Sequence, residues 1–219
     1  ANALTQSNRN IVTDIPGTTR DPIDSLVTYY GKEITLIDTA GLRKKSRIKR
    51  AESLEYFSAL RTHKSIERCD VAIIVIDATS FVSKLSKFTN AEEAVFKLGK
   101  EDVEIIIKAA ELKKGILLVI NKWDLVEKET NSTKIFEEKI RQEIAPFTDV
   151  PIIFVSALTK QRIFKAIETA VEVYENRKQK ISTSKLNDTM LEIVKQNPPP
   201  ANKGKYIKIK YCMQLPSPT

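Results

Sequence analysis

The sequence is poor in the residues that most often reveal a chemistry by themselves. Its two cysteines, Cys69 and Cys212, are far apart and outside any metal-ligand spacing. That argues against a disulfide framework or a zinc motif, and for thiols buried in a reducing compartment, the cytoplasm. The single histidine, His63, lies in the polar helical stretch LRTHKSIER, so it is expected on the surface and not in catalysis. No apolar run approaches the length of a bilayer span, no signal-like segment opens the chain, and there is no internal repeat. Acidic side chains are in deficit, 28 against 36 Lys and Arg, which leaves a net charge of +8. An excess of that size suggests a polyanionic partner, with nucleic acid the first candidate; without a bilayer-length run, no membrane partner is expected.

The 219 residues, 42% of them apolar and 29% charged, suffice for one good core, or one domain plus part of another. Turn chemistry makes Ile11–Asp24 a loop. Val27–Tyr30 and Glu33–Ile37 are expected to pair as a hairpin around Gly31-Lys32. Arg43–Arg50 carries six basic residues in eight, a solvated run or one that orders on an anion. Helices are predicted over Ala51–Arg68, Glu101–Lys113, Thr133–Ala145 and Arg162–Lys178. Strands are predicted over Val71–Ile76, which reads as central and parallel, and over Ile116–Ile120 and Ile152–Val155. This alternation predicts an α/β fold, its mostly parallel sheet covered by helices on both faces. After Lys180 the character changes. Ile181–Ser184 marks a boundary, Lys185–Gln196 a helix ended by Pro198-Pro199-Pro200, and Lys203–Gln214 a half-buried strand with a basic outer face.

Three short motifs fall at predicted strand ends: DTAGL (Asp38–Leu42), NKWD (Asn121–Asp124) and SAL (Ser156–Leu158). Beyond the carboxyl ends of strands is where open α/β sheets hold ligands. An Asp there can hold Mg²⁺, and a Gly lets a backbone N–H approach a phosphate. Asp124 can accept two hydrogen bonds from the guanine ring N–H and exocyclic amine, an edge that adenine lacks. Asn121 can bond the opposite side of the base, and the methylene stem of Lys122 can cover its face. Three fixed residues in four arise by chance in roughly 3% of chains of this length. Two partner motifs at strand ends make coincidence remote.

With PGTTRD (Pro16–Asp21) added, these residues resemble the translation-factor-related GTPases, in the branch holding the Era, MnmE and Der families. Through DTAGLRKKSRIKRAESLEYFSALR, NKWDLVEK and EIAPFTDVPIIFVSALT the chain is similar to the Der (EngA) family. The resemblance implies a second GTP-binding domain over 1–181 and the start of an α+β KH-like domain over 182–219. It implies a P-loop GTPase-type sheet whose first strand and P-loop are missing here. Thr19 would touch Mg²⁺ and the γ-phosphate, within a loop of Thr13, Asp14, Ile15, Pro16, Gly17 and Thr18 that closes over the nucleotide. Asp38 would hold Mg²⁺ through water and Gly41 would sense the γ-phosphate, beside Thr39, Ala40 and Leu42. Asn121, Lys122, Trp123 and Asp124 would surround guanine, with Ser156, Ala157 and Leu158 behind. The implied partners are GTP or GDP and the large ribosomal subunit or its rRNA, reached through Lys203, Lys205, Lys208 and Lys210.

The chain also departs from the pattern. The phosphate loop G-x-x-x-x-G-K-[ST] is absent, and Ala1–Gln6 reads as the remainder of the helix that follows it; both ends of the chain read as cuts. Tight GTP binding by these residues alone is therefore not expected. Leu42 stands where a water-orienting Gln is common, so hydrolysis is expected to need a K⁺-like cation or a partner. Ser80–Lys100 is longer than the family's connection, a surface insertion. No GXXG loop is present. Two other readings stand beside the first: a non-catalytic RNA- or ribosome-binding module, and an MnmE-type tRNA-modification GTPase with a helical surrounding domain.

Overall fold

The computed structural model describes residues 24–37, 64–80, 98–126 and 132–215. The chain divides into two compact units, with the boundary between Tyr174 and Glu175.

In the first unit, β1 (Asp24–Tyr29) and β2 (Lys32–Ile37) form an antiparallel hairpin. The turn is Tyr30-Gly31, with φ of 45° and 75°. Positive φ at both positions makes a primed turn, whose twist suits the flanking strands. The turn thus lies one residue earlier than predicted, and β1 begins three residues earlier. Residues 64–68 are helical; the rest of the predicted Ala51–Arg68 helix, His63 included, lies outside the described residues. So do Arg43–Arg50 and nearly all of the Ser80–Lys100 insertion.

A parallel sheet follows, in the order β3 (Val71–Asp77), β4 (Gly115–Asn121), β5 (Ile152–Phe154). It is threaded by α1 (Lys100–Glu111), α2 (Ser132–Glu143) and α3 (Ile163–Lys178). The pleat sorts side chains alternately to two faces. Ala72, Ile74, Ile76, Ile116, Leu118 and Ile120 pack with Ile106 and Ala109 of α1 and with Phe136 and Ile140 of α2. Leu117, Val119 and Val155 pack with Ala166 of α3 on the other face. Two successive crossovers in one direction across a sheet put their helices on one side, by the right-handed rule. β4 has a helix on either side and is buried throughout its apolar run, which explains why GILLVI does not alternate. Gly115 opens it because a Cβ there would stand 2.6 Å from Val173 Cγ1 of α3.

β3 corrects an expectation. Its apolar run reads as a central strand, yet among the described residues it is an edge strand, bonded to β4 alone, with Val75 59% exposed. Among the described residues one face of β3, Ala72, Ile74 and Ile76, is buried and the other is partly open, so its apolar run marks neither a neighbour on both sides nor full burial of both faces.

The second unit contains the end of α3 and α4 (Thr183–Gln196). Ser182 caps α4 by accepting a hydrogen bond from the Lys185 N–H at 3.4 Å. The strand predicted over Lys203–Gln214 does not form. Asn202–Lys205 closes a tight turn with Gly204 at φ 77°, and the residues beyond it make no ladder. Side-chain amides take the place of a neighbouring strand. Asn187 accepts from the Cys212 N–H at 2.7 Å and donates to its carbonyl at 2.8 Å. Gln214 likewise ties the Ile181 N–H and the Gln179 carbonyl, each at 2.9 Å. Period-two alternation makes a strand only where another strand meets it. Cys69 and Cys212 are thiols, half-buried where buried ones were expected, and the Cys69 Sγ–H donates to the Ile66 carbonyl at 3.3 Å. No described helix is long and apolar enough to cross a membrane.

Candidate nucleotide-binding site

The carboxyl ends of β3, β4 and β5 lie side by side, and backbone hydrogen bonds stitch the loops that leave them. Asp77 and Asn121 are register partners. The Ala78 N–H donates to the Asn121 carbonyl at 2.8 Å, and the Trp123 N–H donates to the Val155 carbonyl at 3.0 Å. NKWD and SAL, with Asp124 and Ser156 32 positions apart in the chain, thereby share one rim.

At that rim Asn121 Oδ1 accepts from the Ala157 N–H at 3.0 Å. The Ala157 N–H is therefore engaged by the neighbouring motif, and this bond orients the Asn121 amide with its NH₂ group on the other side. Ser156 is fully buried; its Oγ accepts from the Thr159 N–H at 3.1 Å and so shapes the loop from behind. Leu158 is 84% exposed.

Lys122 adopts a left-handed conformation, φ 62°, at the start of the 3₁₀ turn Trp123–Leu125. Such a backbone is uncommon outside glycine and marks functional loops. Within this turn Trp123 is buried and Leu125 is 60% exposed. Trp123 goes inward, 3% exposed, against Phe154 and Phe136 with ring centroids 4.4 and 5.3 Å away. Counted among the candidate nucleotide contacts, its indole in fact lies in the core, where it anchors the loop. Asp124 is half-buried, and its Oδ1 is buried without a hydrogen-bond partner. A buried carboxylate oxygen left unbonded is costly, and native structures keep few of them. An N–H donor on a ligand is one group that could satisfy it.

Asp77 escaped the sequence reading, which ended the strand at Ile76. Its Oδ2 pairs with Lys122 Nζ at 2.8 Å, and its Oδ1 accepts from the Thr79 N–H at 3.0 Å and the Thr79 hydroxyl at 2.7 Å. Burial pushes its carboxyl up, but the hydrogen bonds from Lys122 and Thr79 outweigh that and hold it below the usual carboxylate range. The signal was present: an acidic residue closes this strand as Asp38 follows another.

Thr13, Asp14, Ile15, Pro16, Gly17, Thr18, Thr19, Asp38, Thr39, Ala40, Gly41 and Leu42 lie outside the described residues. Among the described residues no group of three acidic, His or Cys side chains could hold a metal ion. The expected Mg²⁺ holders, Thr19 and Asp38, are not among them.

With this geometry in hand, comparison with known proteins is decisive. Residues 1–122 match the family of 50S ribosome-binding GTPases. The chain belongs to that family. Residues 180–219 match the KH-domain-like C-terminal region of EngA bacterial GTPase enzymes, and curated proteins named GTPase Der align along nearly the whole chain. The GTPase Der of Christiangramia forsetii is 52% identical over 217 residues, covering 99% of this chain and 46% of that protein. The GTPase Der of Flavobacterium johnsoniae is 52% identical over 218 residues, with coverages of 100% and 46%. The chain thus spans about half the length of these Der relatives. Among solved structures, Era in complex with MgGDPNP and a segment of 16S ribosomal RNA superposes with a TM-score of 0.61 at 22% identity, over 78% of this chain and 50% of that one. A probable GTP-binding protein engB gives 0.52 at 18% identity, over 80% and 93%. Both likenesses show the same GTPase-type α/β fold.

Proposed function

We propose that residues 1–181 are a guanine-nucleotide-binding domain, the second in a Der-type protein, and that residues 182–219 begin its KH-like domain. The whole protein acts in the cytoplasm as a GTP-hydrolysing switch in assembly of the large ribosomal subunit. One observation carries the reading: the unpartnered Asp124 Oδ1 stands on the same stitched rim as the oriented Asn121 amide. Asp124 accepts the guanine N–H pair, Asn121 bonds the far side of the base, and the Lys122 stem covers its face.

The resemblance supplies the remaining roles. Thr19 and Asp38 hold Mg²⁺, which when bound neutralises charge on the phosphates. Gly41 signals the γ-phosphate, and the loop Thr13–Thr18 shapes a monovalent-cation site. Since Leu42 cannot orient water, GTP hydrolysis by the full-length gene product is expected to run faster in K⁺ than in equal Na⁺. Equal rates would remove the cation from the mechanism. Lys203, Lys205, Lys208 and Lys210 meet RNA phosphates on the ribosome or its rRNA.

The decisive experiment is calorimetric titration of the full-length gene product with GDP and ADP, repeated with Asp124→Ala. A GDP-binding component that ADP does not share and that the substitution removes is expected. Its absence would leave the chain as an RNA- or ribosome-binding module without a nucleotide cycle. The 219 residues contain no G-x-x-x-x-G-K-[ST] run, and the base contacts leave the phosphates uncompensated. Expressed by themselves, they are expected to bind GDP no more tightly than roughly millimolar, the range in which only a few polar contacts act. Micromolar binding would show that phosphates are held by residues outside any recognised loop.

A further inference from the structure

Resting on the base-site reading above, we infer that Asp77 is a positioning residue for guanine nucleotide binding, acting through Lys122. Asp77 belongs to none of the three motifs and lies 44 positions before Asn121, the first residue of NKWD. The sheet nevertheless brings it beside Asn121 as a register partner.

Its carboxylate is fixed at both oxygens. Thr79 holds Oδ1 through two donors, which leaves Oδ2 aimed at the Lys122 ammonium, 2.8 Å away. The Asp77 side chain is only 11% exposed, whereas that of Lys122 is 52% exposed. The buried partner is therefore the anchor and the lysine the part that is held. The depressed carboxyl titration agrees with an ionised anchor. Lys122 starts from a left-handed backbone in the middle of the motif. With its ammonium tied at the end of β3, its methylene stem must run from the NKWD loop back toward that strand. An untethered lysine would lose its rotamer freedom when a base arrived, and a tethered one has already lost it. Asp77 thus pre-organises the surface that covers the base without touching it. It carries no edge recognition, which belongs to Asp124.

The test uses the full-length gene product and the component of nucleotide binding that Asp124→Ala removes. Asp77→Asn keeps an oxygen for Thr79 and loses the charge pair. Lys122→Met keeps an apolar stem and loses the anchored end. Each is expected to weaken GDP about 3- to 10-fold, as for a half-exposed charge pair. The double variant is expected to bind no more weakly than the weaker single one, the mark of residues acting as a unit. The ratio of GDP to inosine diphosphate affinity should stay at the wild-type value in Asp77→Asn, because the amine that distinguishes them meets Asp124. Additive losses in the double variant, an unchanged affinity in Asp77→Asn, or a collapsed GDP-to-inosine-diphosphate ratio would each overturn the inference. Should Asp77→Asn not fold, Lys122→Met decides by itself: unchanged GDP affinity overturns the inference, and the stated loss supports it. If Asp124→Ala removes no binding component, the base-site reading falls, and this inference with it.

Discussion

Asp124→Asn is expected to exchange the base that the site accepts. Guanine presents a ring N–H and an exocyclic amine, both donors, and a carboxylate is acceptor-only. An asparagine presents one acceptor and one donor group, so its NH₂ would face the amine of guanine and leave donors opposed. Xanthine differs by a carbonyl in place of that amine and restores a donor–acceptor match. Losing a hydrogen bond to a charged acceptor and stranding a buried donor costs about 3 kcal/mol, which is about a 150-fold loss of GDP affinity. Xanthosine diphosphate is expected to bind the variant more tightly than GDP, reversing the wild-type order. The fold should tolerate the change, because Asp124 Oδ1 has no hydrogen-bond partner within the protein to lose. Thermal unfolding of the variant checks that point separately. Competition of the two diphosphates for the full-length gene product, wild type and variant, reads the swap. If both bases weaken equally, Asp124 supports the loop and does not read the base.

Parts of this arrangement were legible in the sequence, for physical reasons. A strand flanked by two neighbours and two helix layers must be apolar throughout, so Ile116–Ile120 identified β4 to within a residue at each end. Helices with one apolar face, such as α1 and α3, were found to within two residues at either end. The NKWD and SAL motifs name their own positions, and the loops leaving β4 and β5 do share a rim. What was not legible depends on partners distant in sequence. Nothing in VIDAT announces that Asp77 will hold Lys122, since the register of β3 on β4 makes that pair. Trp123 looked like a ligand contact because its neighbours in the motif do. Its burial follows from contacts with Phe154 and Phe136, residues distant in sequence that the motif does not reveal. Lys203–Gln214 has the pattern of a strand and lacks the neighbour, so Asn187 and Gln214 hold it by side-chain amides. The hairpin turn moved by one residue because Tyr30, not Lys32, accepts positive φ beside Gly31.

The last expectation concerns the basic tail of the second unit. Lys203, Lys205, Lys208 and Lys210 are all exposed, and Tyr206 between them is 93% exposed. Solvated lysines cost little to keep and gain little from the fold, so their removal should leave thermal stability within about 0.5 kcal/mol of wild type. Their value lies in counterion release. Each lysine that meets a phosphate frees a cation, which gives affinity a salt slope of about −0.7 per contact on single-stranded RNA. Four contacts account for a slope of about −3. Replacing all four with Ala should flatten log Kd against log salt by about that amount and weaken rRNA binding about 10²-fold or more near physiological salt. Tyr206→Ala, by contrast, should leave the slope unchanged and weaken binding only as far as base stacking contributes, about 1–3 kcal/mol. Filter binding of the full-length gene product to single-stranded large-subunit rRNA segments, across a salt series, separates the two. An unaltered slope in the four-lysine variant would mean that these side chains are a solvated face, and that any RNA contact is made elsewhere on the protein.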